Sequence, residues 1–170
     1  MREHERNKVN SHGLAVRKKV IKEQGKCVSP TIFTIGHSNR TLQQFLDMLR
    51  EHSVEIIVDV RSRPASRWLP HFNRRTLEVA LVGAGIQYLF RGHNLGGLEE
   101  NIDYDRTITE VIKLAKEAHL VLLCAEANHI KCHRFTMLTP DLEKQGVVVK
   151  HIIWEKSSRK PAKTLQKVLF

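Results

Sequence analysis

The sequence predicts an α/β protein, a single domain with a mostly parallel, doubly wound sheet of about five strands and helices on both faces. Three observations predict it. Short aliphatic and β-branched runs recur at residues 31–35, 54–60, 86–90, 119–123 and 147–153. Between them, apolar residues return at helical spacing. The connections are short, and strands that alternate with helices pack most simply as a parallel sheet covered on both sides.

The elements follow in order. Thr31-Ile32-Phe33-Thr34-Ile35 is the first strand, and Gly36-His37-Ser38-Asn39-Arg40 a polar turn. Asn39 or Thr41 can cap a helix over 42–52, where Leu42, Phe45, Leu46 and Leu49 form one apolar face. The run 54–60 is apolar on both faces, which suits a central strand. Three arginines and two prolines within 61–70 exclude a regular element there. Asn73 can cap a helix over 74–82, and Gly83-Ala84-Gly85 stops it. A third strand, 86–90, leads into a loop over 92–100 that carries Gly96-Gly97. Asp103 or Asp105 opens a helix to 118, with Ile108, Val111, Ile112 and Ala115 on one side. The fourth strand, 119–123, runs into a polar loop and then a helix marked by Phe135, Leu138 and Leu142. Thr139-Pro140 kinks or restarts that helix, since proline fits a first turn, and Gly146 ends it. The last strand is 147–153, with Trp154 packing over its end.

The net charge of +10 is unevenly spread. Residues 1–29 hold eight Lys or Arg against three Glu, and 155–170 hold five against one. The stretch 30–154 holds fifteen against fourteen acidic side chains. We therefore expect a nearly neutral folded body between a basic N-terminal arm, with a short helix near 15–23, and a basic C-terminal tail that docks through Leu165, Val168 and Leu169. Such ends serve solubility or bind nucleic-acid phosphates without sequence preference. Three cysteines without framework spacing read as free thiols, Cys27 being incidental. No apolar run is long enough to span a membrane, and the first residues lack the apolar core of a signal peptide. The expected compartment is the cytoplasm. The sequence does not set the oligomeric state.

Polar chemistry gathers at three predicted strand ends. These are His37 and Ser38 after the first strand, Asp59 with Arg61, Arg63, Ser66 and Arg67 after the second, and the stretch Cys124 to Arg134 after the fourth. In a parallel sheet these ends share the carboxyl edge, where α/β proteins place ligands. Arg61, Arg63, Arg67 and Arg134 suit a phosphate, sulfate or carboxylate. Cys124, entering a loop before a helix, reads either as a nucleophile with a depressed pKa or as a packing residue. Asp59 and Glu126 read as bases or as local hydrogen-bonding partners, and His37 as a base, an anion donor or a hydrogen-bonded loop residue. Gly96 and Gly97 either let backbone approach a ligand or form a plain turn. Cys124, His129, Cys132 and His133 are metal-ligand types, but their spacing matches no standard zinc pattern, so we expect no metal and no other cofactor. Nine residues separate Cys124 from Arg134, against five in a phosphatase-like loop.

These residues carry a family resemblance. Thr34-Ile35-Gly36-His37-Ser38, Val58-Asp59-Val60-Arg61 with Pro64, Ser66, Arg67 and Pro70, Leu95-Gly96-Gly97, Leu123-Cys124-Ala125-Glu126, Cys132-His133-Arg134 and His151-Ile152 occur in one order. On them the chain resembles the family called domain of unknown function 488, over 31–153 and excluding both basic ends. The resemblance implies a compact α/β fold and supplies no reaction. The spacer Ala127-Asn128-His129-Ile130-Lys131 is more basic than the acidic or proline-containing spacer usual in that family. A looser likeness to rhodanese-like domains rests on an Asp-x-Arg after a central strand and a Cys after a later one. It implies persulfide chemistry on Cys124.

The expected function is an enzyme-like domain that binds an anionic ligand, of phosphate or nucleotide type, at the carboxyl edge. Arg61, Arg63, Arg67 and Arg134 would hold the anion, with Ser38, Ser66, Gly96 and Gly97 beside it. Cys124, Asp59, Glu126 and His37 would carry chemistry, with Cys132 and His133 shaping the loop. The alternatives are a nucleic-acid binding or accessory protein that uses its basic ends, and thiol or persulfide transfer on Cys124.

Overall fold

The computed structural model describes residues 29–154 except Glu99, so the expectations for the basic arm before Ser29, for Cys27 and for the tail 155–170 fall outside the described residues. Five strands form one sheet: β1 (Thr31–Gly36), β2 (Ile56–Asp59), β3 (Gln87–Phe90), β4 (Leu120–Cys124) and β5 (Val148–His151). Their spatial order is β3-β2-β4-β1-β5, and every pairing is parallel. The α/β reading holds, with the three central strands β2, β4 and β1 side by side. Parallel strands need crossovers, and each crossover here contains a helix.

The helices are α1 (Leu42–Glu51), α2 (Arg74–Gly83), a single turn α3 (Gly92–Leu95), α4 (Tyr104–Ala115) and α5 (Thr139–Lys144). Handedness decides which face each covers. The chain moves outward from β1 to β2 to β3, then returns to β4 and crosses to β5. Right-handed crossovers then put α1 and α2 on one face and α4 and α5 on the other. The packing agrees. Phe45, Leu49, Leu77 and Leu81 meet Ile35, Ile57, Val121 and Leu123. Ile108, Val111, Ile112 and Leu142 meet Ile32, Val58, Leu120 and Leu122. Successive residues of β4 thus feed opposite cores, and the strand is buried throughout. Each such aliphatic side chain stabilises the fold by about 1.5–3 kcal/mol.

Local chemistry sets the element ends, sometimes against the sequence expectation. Thr41 and Gln44 form a reciprocal capping box on α1. Asn73 precedes α2 but does not cap it, because its Oδ1 accepts the Ser66 N–H at 2.6 Å. Asp103 makes no side-chain cap on α4 either. Its φ is +52°, and its carbonyl takes both Thr107 N–H and Thr107 Oγ1–H. The loop expected over 92–100 contains the α3 turn. Before α5, residues Arg134–Leu138 wind as a π-turn. Pro140 has no N–H to give the Thr136 carbonyl, and Thr139 donates five residues back to Arg134 O. Trp154 does cover the sheet end, donating Nε1–H to Gly36 O at 2.6 Å, with the Arg40 guanidinium 4.8 Å from its ring.

Gly36 ends β1 where the loop after β4 crosses closest. A Cβ there would overlap the Glu126 carbonyl and sit 2.6 Å from Arg134 Nη1. The strand end and the polar loop can meet only because residue 36 has no side chain. Gly36→Ala is expected to lose at least about 1–3 kcal/mol, the usual cost of overpacking, read from the urea unfolding midpoint.

Candidate functional site

The carboxyl ends of β1, β2 and β4 open on a cavity of about 700 Å³. His37, Ser38, Arg61, Ser62, Arg63, Ser66, Gly97, Cys124, Glu126, Lys131, Cys132 and His133 contribute to its wall. Adjacent strands bring three sequence-distant polar clusters together. Among the expected residues, Asp59, Gly96 and Arg134 lie behind this wall and Arg67 outside it.

At the β2 end, Asp59 is fully buried and Arg61 is 7% exposed. Their pairing is bidentate, Arg61 Nε to Asp59 Oδ1 at 2.8 Å and Nη2 to Oδ2 at 2.6 Å. The Tyr88 hydroxyl, reaching across from β3, donates to Asp59 Oδ2 at 2.7 Å. Burial opposes the Arg61 charge, but the hydrogen bond and charge of Asp59 outweigh it and raise the arginine's pKa. Arg61 Nη1 also donates to Phe72 O at 2.9 Å and to His37 Nε2 at 3.2 Å.

His37 lies between that arginine and its own turn. Nδ1 donates to Ser38 O at 2.8 Å, which leaves Nε2 as an acceptor facing Arg61. The ring stacks on Phe72, centroids 4.1 Å apart. Burial pushes its pKa down to about 4, with Arg61 adding to the effect. His37 is therefore a neutral imidazole with both nitrogens engaged inside the protein. Ser38 holds a φ of +48° and donates its N–H to Ala125 O, tying the β1 turn to the loop after β4.

At the β4 end, Cys132 Sγ–H donates to Cys124 Sγ across 3.2 Å. His133 Nδ1 lies 3.8 Å from the first sulfur and 3.7 Å from the second. Both cysteines are free thiols and buried. The hydrogen bond from Cys132 lowers the Cys124 pKa, and His133 and the Glu126 backbone N–H add to it against the cost of burial. The same bond, with burial, raises Cys132. One proton is thus shared by the pair and resides on Cys132. Arg134 is 1% exposed; only Nη2 has a partner, Ala127 O at 3.3 Å, while Nε and Nη1 have none among the described residues. Burial lowers its pKa, and the two sulfurs favour its charge. Among the described residues, Cys124, Cys132 and His133 form a group that could hold a metal, their donor atoms lying within 4.8 Å of one another.

The remaining residues frame the cavity. Ser66 Oγ accepts the N–H groups of Trp68 and Leu69, both at 3.2 Å, which folds the arginine-rich loop back on itself. A Cβ on Gly97 would stand 2.7 Å from the His133 ring, and one on Gly96 would overlap Ser62 Oγ and Gly92 O. The two glycines thus let backbone approach protein groups. Glu126 is exposed and accepts the Asn128 N–H at 3.1 Å. Sequence reasoning missed Tyr88, Ser62 and Lys131. A polar aromatic on the strand beside Asp59 was the available signal for Tyr88.

The family model described as Domain of unknown function DUF488 matches residues 41–106 and supports the resemblance read from the motifs. The match is shorter than the 31–153 span of the resemblance and includes the β2 cluster. No curated protein and no solved structure matches the chain. The rhodanese-like likeness gains no support from these comparisons. No helix among the described residues is long and apolar enough to cross a membrane.

Two expectations follow. Asp59→Asn leaves Arg61 buried without its counter-charge and should cost about 3–5 kcal/mol, whereas Tyr88→Phe removes one hydrogen bond and should cost about 1–3 kcal/mol, both by urea denaturation. The folded pKa of His37, about 4, lies below its ordinary 6.5, so between those values the unfolded chain binds the extra proton. The His37 contribution is whole above pH 6.5 and is lost as pH falls toward about 4. His37→Gln should flatten that part of the slope in unfolding midpoints measured across the window.

Proposed function

We propose, taking the likeness to the domain of unknown function 488 family as the premise, that this chain is a thiol-using, enzyme-like domain. Its ligand is a small anion bound at the carboxyl edge of the sheet. One observation carries the reading: Cys124, whose sulfur accepts a hydrogen bond from Cys132 that lowers its pKa, lines a cavity built by three adjacent strand ends. A thiolate is the nucleophilic form of cysteine. About 700 Å³ falls within the ordinary size of small-molecule sites, which favours a small ligand over a nucleic-acid strand.

The proposed roles divide by burial. Cys124 attacks, while Cys132 and His133 hold its charge. Arg63 and Lys131 are exposed residues of the cavity wall and attract the anion. Ser38 and Ser62 offer polar atoms beside them. Arg61 sets the wall through His37 and Phe72 and is itself positioned by Asp59. Arg134 supplies charge from behind the sulfurs.

The test is alkylation of the full chain across pH 5–9 with neutral iodoacetamide and anionic iodoacetate, mapped by mass spectrometry. Cys124 should react well below the free thiol value of about 8.5, and the anionic reagent should gain on the neutral one at this residue. Inorganic phosphate or sulfate should slow the reaction. An Arg63→Ala, Lys131→Ala double variant should weaken that protection at least about tenfold, since the loss of even one charge-assisted hydrogen bond costs that much. A Cys124 that stays inert until the protein unfolds would sink the reading.

A further inference from the structure

We propose that Cys124 and Cys132 act as a nucleophile and resolving pair, so that the domain exchanges electrons with low-molecular-weight anionic disulfides through an internal Cys124–Cys132 disulfide. The inference rests on the reading of Cys124 given above and adds the substrate class and the second sulfur. Geometry carries it. The two sulfurs are 3.2 Å apart, in a donor-to-acceptor contact, and both residues line the same cavity. The chain between them is a loop with one 3-10 turn, His129–Lys131, and no sheet pairing, so the sulfurs can close without breaking the sheet.

The steps balance. The Cys124 thiolate attacks one sulfur of a disulfide R–S–S–R, forming Cys124–S–S–R and releasing RS⁻. The Cys132 sulfur then attacks Cys124 Sγ, forming Cys124–S–S–Cys132 and releasing the second RS⁻, which takes the Cys132 proton. Two electrons pass from the cysteine pair to the substrate, and the reverse sequence restores the dithiol. The first step prepares the second. While Cys124 is a thiolate, its hydrogen bond and charge hold the proton on Cys132. Once Cys124 is capped, that restraint is gone, and the Arg134 charge and backbone N–H favour the Cys132 thiolate.

Arg134 also sets the redox balance. It is 1% exposed, no described carboxylate forms an ion pair with it, and the two sulfurs do more to hold its charge than Glu126 does. Closing the disulfide removes the thiolate charge and leaves the Glu126 carboxylate as the remaining negative charge acting on the buried guanidinium. The reduced state is thereby favoured, which makes the disulfide readily reducible, as when a stabilised thiolate poises a dithiol pair.

A metal fits the same atoms less well. Tetrahedral zinc with Zn–S of about 2.3 Å holds two sulfurs about 3.8 Å apart, wider than the contact here. A ligating histidine also donates its other N–H to an acceptor, and His133 Nε2 has none among the described residues.

The experiment uses the reduced full chain carrying Cys27→Ser, with oxidised glutathione as the anionic disulfide and hydroxyethyl disulfide as the neutral one. The products are acid-quenched and mapped by mass spectrometry. The parent should lose the two thiol hydrogens and show a Cys124–Cys132 link, faster with oxidised glutathione. Cys132→Ser should stop at a glutathione adduct on Cys124, and Cys124→Ser should give neither product. Arg134→Lys, which keeps the charge, should hold the equilibrium against a glutathione buffer, whereas Arg134→Gln should shift it at least about tenfold toward the disulfide. A Cys124 that alkylates readily but stops at the mixed disulfide with Cys132 present would overturn the pair and leave the thiolate reading standing. An inert Cys124 would overturn both. Stoichiometric zinc that survives dialysis and shields both cysteines from oxidised glutathione would overturn the pair in favour of a metal centre.

Discussion

The buried Asp59–Arg61 pair is the constraint on which the carboxyl edge depends. A bidentate ion pair with the carboxylate fully buried must have its hydrogen bonds met, or it destabilises the fold. Here Asp59 is completed by Tyr88 from the next strand, and Arg61 by the Phe72 carbonyl and the His37 ring. One charge pair thus links β2, β3, the turn after β1 and the loop before α2. It also decides the histidine's chemistry. An imidazole that accepts from a guanidinium and donates to its own turn stays neutral, so His37 serves as a spacer of fixed orientation beside the cavity.

The second buried arginine works in the opposite way. Arg61 has a carboxylate of its own, whereas Arg134 is enclosed beside two sulfurs with two of its nitrogens unpartnered among the described residues. A buried cation without an ion-paired carboxylate needs another source of negative charge, and the two sulfurs supply more of it than Glu126 does. The same electrostatic need that keeps Arg134 ionised therefore favours ionisation of the Cys124–Cys132 pair. This couples the two half-motifs of the loop after β4, Cys-Ala-Glu and Cys-His-Arg, in physical terms.

Much of the fold was readable from sequence because burial leaves a pattern. The run at 54–60 is apolar on both faces, which belongs in a central parallel strand, and the short runs at 31–35 and 119–123 read as further strands. Those are β1, β2 and β4, and their adjacency is what makes the polar ends converge. Caps were read less well. Asn73 and Asp103 have the right residue types, yet Asn73 is drawn to Ser66 and Asp103 works through its carbonyl. A side chain's choice between a nearby helix end and a distant loop is tertiary, and local spacing does not encode it. The π-turn at Arg134–Leu138 was foreshadowed only by Pro140.

The arginines show the same division at the site. Sequence marks Arg61, Arg63, Arg67 and Arg134 as equivalent cations near strand ends, but depth separates them. Arg61 and Arg134 are nearly closed off from solvent, while Arg63 and Arg67 are exposed. A guanidinium whose donors are already taken, as in Arg61, fixes the shape of the wall, and one beside the two sulfurs, as in Arg134, supplies charge from behind it. On the proposed function, capture of an anion from water falls to the exposed cations of the wall, Arg63 and Lys131. The proposed function thereby assigns attraction, orientation and reactivity to different depths of one cavity.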